Sequence, residues 1–157
     1  MSQIAEAAEV SESTFFRYFG SKEALVFRDD FDEVLIDAFR AQPSELTPLQ
    51  AMRAAIRDAF RQITPEEIAD AAYRGELVMS VPELREAVAG ELVETLDRLA
   101  ELAAPRMGLP PDAVRVRALA GAVVGAMMAV FMVPGGMDPQ FVERVDAALA
   151  ELEAGFK

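Results

Sequence analysis

The chain contains no cysteine and no histidine in its 157 residues. Without cysteine, disulfides, thiolate catalysis and cysteine-ligated zinc are excluded. Without histidine, the commonest general base and the commonest transition-metal ligand are missing. A Glu-x-x-His di-iron bundle cannot be built either. There is no nucleophile elbow and no phosphate-binding glycine loop. Catalysis would rest on carboxylates alone, so the chain is read as a non-enzyme with no catalytic residue, no metal site and no cofactor. Alternating strand-like runs are absent, as are internal repeats and low-complexity linkers. Met1 is followed by small and polar residues rather than a basic and then apolar leader, so a cytoplasmic location is expected.

Positive charge is also scarce. Fifteen Lys and Arg face 27 Asp and Glu, a formal net charge of −12. Phosphate contacts need basic side chains, so the chain as a whole is a poor nucleic-acid binder. Residues 1–28 are the exception, with Arg17, Lys22 and Arg28 nearly balancing Glu6, Glu9, Glu12 and Glu23. Any nucleic-acid surface therefore lies at the N-terminal end.

What is present is apolar and helical. Apolar residues make up 52% of the chain, enough for one substantial core. Short helices are predicted from Gln3 to Ala8 and from Ser11 or Glu12 to Tyr18, with Ser11 as N-cap and Glu9-Val10-Ser11 as the turn. A long helix follows from a cap at Ser21 to Gln42, about 30 Å at 1.5 Å per residue. Thr47-Pro48 and Thr64-Pro65-Glu66-Glu67 start two more, the second as a capping box. The latter helix is expected to run through Tyr73 and stop at Gly75, leaving residues 76–81 unassigned. Pro82 opens an amphipathic helix ended by Gly108, Pro110-Pro111 one over 111–133, and Asp138-Pro139 the last. Ala118 to Met137 carries no charge for 20 residues, close to the roughly 20 needed for a membrane span. Pro134-Gly135-Gly136 shortens it and Arg115 and Arg117 begin it, so it is read as a buried interface helix, with no membrane partner.

The most informative stretch is Ile4-Ala5-Glu6-Ala7-Ala8-Glu9-Val10-Ser11-Glu12-Ser13-Thr14-Phe15-Phe16-Arg17-Tyr18-Phe19-Gly20-Ser21-Lys22-Glu23-Ala24-Leu25. Two short helices joined by a tight turn can place the second in a DNA major groove. That helix would present Ser13, Thr14, Arg17 and Tyr18, whose hydroxyls and guanidinium suit phosphates and base edges. The segment resembles the tetracycline-repressor (TetR) family, which it matches at Ile4, Ala5, Ala8, Val10, Ser11, Thr14, Phe15, Phe16, Tyr18, Phe19, Ser21, Lys22, Glu23 and Leu25.

The resemblance implies an all-α fold: a truncated helix-turn-helix DNA-binding lobe plus a helical ligand-binding and dimerisation domain. The boundary is drawn between residues 1–41, the helix-turn-helix and connecting helix, and residues 42–157. It implies DNA contacts from Thr14, sequence reading by Ser13 and Arg17, and phosphate contacts from Tyr18 and Lys22. Phe15 and Phe19 look like packing residues. Measured against the family, the chain starts inside the second helix, so the first helix is expected to be absent. Glu9 stands where the family has a turn glycine, and a positive φ there would cost roughly 1 kcal/mol. Phe16 lacks the hydroxyl that a tyrosine would offer.

The family's logic is a ligand-responsive repressor. It binds a palindromic operator as a homodimer, and a small effector, expected here to be apolar or acyl-type, releases it by tilting the connecting helix. Candidate pocket residues are Phe31, Leu35, Met52, Ile56, Phe60, Tyr73, Met79, Leu92, Leu96, Met127, Met128 and Phe131, although such Met and Phe stripes also build ordinary cores. Dimer contacts are expected from Gly121, Gly125, Val145, Leu149 and Leu152. Arg53, Arg57 and Arg61, spaced i, i+4, i+8, form either a solvated face or a grip on an anionic ligand. The competing reading is a helical ligand-binding and dimerising module without DNA binding.

Overall fold

Short-range hydrogen bonds set most of the helix ends. The computed structural model describes residues 2–19, 26, 31–132, 138 and 140–156. The side chains of Ser2, Ile4, Phe15, Phe19, Phe31 and Asp32 lie outside that description. Among the described residues the regular elements are helices: α1 (Ser2–Ala7), α2 (Glu12–Phe19), α3 (Phe31–Arg40), α4 (Pro48–Phe60), α5 (Pro65–Ser80), α6 (Pro82–Met107), α7 (Val114–Phe131) and α8 (Phe141–Ala154). The expected cap Ser21, the breaker Gly20 and the Pro134-Gly135-Gly136 break lie outside the described residues.

Helix α1 ends in a Schellman turn. The Val10 N–H donates to the Ala5 carbonyl at 3.0 Å and the Glu9 N–H to the Glu6 carbonyl at 3.0 Å. Glu9 occupies the left-handed position with φ 55°, as the sequence led us to expect. The same pair of bonds closes α6 at Gly108 (φ 62°) and α8 at Gly155 (φ 74°), where glycine takes the conformation without a Cβ clash. Both expected capping residues on α4 and α5 are in place. Thr47 and Gln50 exchange side-chain-to-backbone bonds of 3.2 and 3.1 Å, and Thr64 and Glu67 exchange bonds of 3.3 and 2.8 Å. The Thr64 N–H holds the Glu67 carboxyl below its ordinary range.

Several boundaries differ from the sequence reading. Helix α5 does not stop at Gly75 but runs through it to Ser80. Helix α7 begins at Val114, because the Pro110 carbonyl accepts from the Ala113 N–H at 3.0 Å and folds Pro110–Ala113 into a turn with proline at its second position. Helix α8 begins at Phe141. Asp138 still prepares it, accepting from the Gln140 N–H through its carboxylate and from the Phe141 N–H through its carbonyl, both at 2.9 Å.

The core is rich in alanine. Ala51, Ala55 and Ala59 of α4, Ala100, Ala103 and Ala104 of α6, and Ala120 and Ala126 of α7 are all buried. Their small side chains let the axes approach closely, and Met52, Ile56, Val116, Val123, Val145 and Leu149 fill the space between. Helix α4 packs against α3, α6 and α8, and α7 against α6 and α8. Helix α5 is different: it packs chiefly on α6 and buries one side chain, Val78. Its standing off from the core creates the cleft described below.

Candidate functional site

Helix α2 begins at a side-chain cap. Ser11 Oγ accepts from the Thr14 N–H at 3.1 Å and lies 2.8 Å from Thr14 Oγ1 and 2.9 Å from Ser13 Oγ. Ser13, Arg17 and Tyr18 are exposed and Thr14 is half-buried. Residues 13, 14, 17 and 18 share one helical face, so the structure brings these four together as the sequence suggested. The Arg17 guanidinium sits 5.4 Å from the centre of the Tyr18 ring, a cation–π contact that joins two donors into one surface. Lys22 lies outside the described residues.

A cleft of about 940 Å³ opens between α5, the N-terminal half of α6 and the ends of α4 and α7. Phe60, Leu92, Met79, Met127, Met128 and Phe131 line it, as proposed from the sequence. So do Ile63, Ile68, Val78 and Val88, which the sequence reading did not single out. Val78 falls in the stretch left unassigned. The apolar spacing of Ile68, Ala71 and Val78 would have marked it once α5 was allowed to continue past Gly75. The rim carries charges of both signs, including Arg74 paired with Asp70 at 2.8 Å, and Arg98 donating to Thr95 Oγ1 at 3.2 Å. Val26 and Val34 also touch the cleft. Val26 precedes α3 in the chain, and Val34 lies in α3 and packs against the core.

The other proposed pocket residues sit elsewhere. Leu35, Met52 and Ile56 belong to the closed core, at 6%, 1% and 1% exposure. They share the inward helical face with the true lining, but another helix fills the space in front of them. Leu96 is packed against the core as well. Tyr73 points outward and is 66% exposed. The side chain of Phe31 lies outside the described residues.

The arginine stripe of α4 is neither a bare solvated face nor part of the cleft. Arg53 forks onto Asp146 of α8 at 2.9 and 3.1 Å and reaches Glu153 at 2.6 Å. Arg57 adds a bond to Asp146 at 2.7 Å. The hydrogen bond from Arg53 holds the Asp146 carboxyl below the usual aspartate range, against the opposing effect of burial. Arg61 pairs with its neighbour Asp58, at 2.7 Å on the surface.

Of the proposed dimer residues, Val145 and Leu149 are wholly enclosed within the single chain. That leaves them no surface for a second copy. Gly121 and Leu152 are half-buried and Gly125 is exposed. Helix α7 is long and apolar enough to cross a membrane by length and composition alone. Here it packs one face, Val116, Ala120, Val123, Ala126 and Val130, into the core, and Arg117 forms an ion pair with Asp97 of α6. The opposite face leaves Ala118, Gly125, Ala129 and Met132 exposed.

A helix-turn-helix pair is followed here by an all-helical body with a cleft. Residues 1–28 match the family model of bacterial regulatory proteins of the tetR family, and residues 46–157 match the MftR C-terminal domain model. The chain belongs to the TetR family, one of regulators rather than enzymes. It is 38% identical over 119 residues to the HTH-type transcriptional regulator TcmR of Streptomyces glaucescens, a match covering 70% of this chain and 52% of that protein. It is 39% identical over 74 residues to the HTH-type transcriptional regulator BetI of Rhizobium meliloti, covering 44% and 36% respectively. The chain thus spans about half or less of the length of these curated relatives.

Proposed function

We propose that the protein is a ligand-responsive transcriptional repressor that binds a palindromic operator as a homodimer. Helix α2 reads the major groove through Ser13, Thr14, Arg17 and Tyr18, with Lys22 on the phosphates. A small apolar effector fills the cleft and releases the DNA. The domain division proposed is residues 1–41 and 42–157. The observation that carries this reading is that Val34, in the proposed connecting helix α3, and Val26, before it in the chain, themselves line the cleft. A ligand there touches the connecting helix directly, so it can favour one position of that helix over another. The exposed apolar face of α7 supports a second copy as partner.

The test is operator binding by the full-length gene product, followed by fluorescence anisotropy across a salt series. The expected result is a marked preference for a palindromic site over competitor DNA, with affinity falling steeply as salt rises. Absence of any sequence preference would overturn the repressor reading. The strong acidity of the chain, with Glu9 and Glu12 flanking the start of α2, favours a second reading, a ligand-binding and dimerising module without DNA binding. That same outcome would support it.

A further inference from the structure

We propose that Gly75 and Phe131 together set the size of the molecule the cleft accepts, Gly75 by having no side chain and Phe131 by leaning on it. The inference rests on the reading of the cleft as an effector site. Gly75 lies inside α5, where glycine costs about 1 kcal/mol relative to alanine. Its backbone does not require glycine, because the positive-φ glycines among the described residues are Gly108 and Gly155. What glycine supplies here is space. A Cβ at position 75 would stand 2.9 Å from both Cε2 and Cζ of Phe131. The other described glycines within helices contrast with this. A Cβ at Gly90 or Gly125 meets nothing within 4 Å, and one at Gly121 makes ordinary contact with Leu96 at 3.8 Å.

Gly75 and Phe131 both line the cleft, beside Val78, Met127 and Met128. The ring is half-buried in the last turn of α7 and packs against the core on its inner side. The atoms met by the added Cβ are at the far end of the side chain. When a methyl group is placed on residue 75, the ring is therefore the part that yields, and the volume open to it is the cleft. The bare backbone at 75 is what lets the ring lie back as a wall. The bulk at residue 75 and the ring at 131 act on one dimension of the site.

The experiment uses the full-length protein and neutral n-alkanols from hexanol to dodecanol, measured by displacement of 1-anilinonaphthalene-8-sulfonate. While the alkyl chain still finds apolar wall, each added carbon tightens binding about threefold to fourfold, and the gain stops where the wall ends. Gly75→Ala is expected to move that stopping point to a shorter alkanol, and Phe131→Ala to a longer one. In the double variant, Gly75→Ala has no further effect, because the ring it displaces is gone; this coupling separates a shared wall from two unrelated perturbations. Phe131→Leu, which keeps an apolar side chain, replaces Phe131→Ala if helicity is lost. Unchanged stopping points in both single variants, with the native protein still binding alkanols, would overturn the inference and leave the cleft reading standing. No alkanol binding by the native protein, or binding indifferent to Leu92→Glu, would overturn the cleft reading itself and this inference with it.

Discussion

The guanidinium of Arg106 lies 5.3 Å over the ring of Phe39 and donates to the carbonyl of Gln42 at 2.6 Å. It also reaches the Pro43 carbonyl at 2.8 Å and the Leu46 carbonyl at 3.3 Å. Those carbonyls belong to the loop between α3 and α4, and one guanidinium offers several donors to such backbone acceptors. Arg106 itself is in the last turn of α6, the helix whose opposite half borders the cleft. One side chain thus ties the end of the connecting helix to the body. Replacing Arg106 with alanine is expected to lower stability by about 2 kcal/mol, since it removes charged hydrogen bonds and a ring contact. Thermal denaturation would read this as a midpoint lower by about 4–8 °C. Arg106→Lys should recover only part of the loss, because an ammonium lacks the planar fork that spans several carbonyls. Full recovery by lysine would contradict that account.

Glu9 holds a left-handed backbone at φ 55° in the turn between α1 and α2. Glycine takes this conformation freely, whereas other residues pay roughly 1 kcal/mol for it. Glu9→Gly is expected to raise the unfolding free energy by about 0.5–1 kcal/mol, read by urea denaturation. It also removes a carboxylate from beside α2, the helix proposed to read DNA, so operator affinity should rise. A destabilised variant would argue against the turn geometry.

Asp146 anchors Arg53 and Arg57 and is about a quarter exposed. Its carboxyl is held below the ordinary range in the folded chain, first by the Arg53 hydrogen bond. The unfolded chain therefore takes up the proton more readily, and stability rises with pH through that window. The contribution is fully present above about pH 4 and is lost as pH falls through the depressed folded value. Asp146→Asn is expected to cost about 1–2 kcal/mol at neutral pH. It should also flatten the acid limb of a stability-versus-pH curve. An acid limb as steep as that of the native protein would assign the pH dependence to other carboxylates.

Gly125 is exposed on α7, and a Cβ placed there meets nothing within 4 Å in the single chain. Gly125→Arg is therefore expected to leave the fold intact while placing a charge in any helix–helix contact across that face. Sedimentation velocity at micromolar concentration should show a dimer for the native protein and a monomer for the variant, with unchanged helicity by circular dichroism. A variant that remains dimeric would move the interface off this face of α7.

Much of the local structure was legible because its causes lie within a few residues of one another. Ser11, Thr47 and Thr64 act as caps through bonds to residues three positions on. Glu9 was recognisable from a motif in which a glycine is expected. Gly75 was misread as a terminator for an equally physical reason: a glycine near the end of a periodic stretch resembles a helix stop, and only the ring of Phe131, 56 positions away, reveals it as a close approach. Pro110-Pro111 resembled a helix start and is a turn, because either use of proline suits the same dipeptide.

By itself the sequence determined the helical class, the family motif, most helix ends and the N-terminal position of the helix-turn-helix. It also marked the inward-facing residues of each helix. Only the tertiary structure decided which of those face a void and which face another helix. Met52 and Ile56 are sealed in the core, whereas Phe60 and Met127 border the cleft. Val145 and Leu149 are consumed by the chain's own packing, and Gly125 is left outside. Periodicity records that a side chain turns away from water on its own helix, and what it meets there depends on where distant helices settle. The cleft exists because α5 leaves the core after burying little more than Val78.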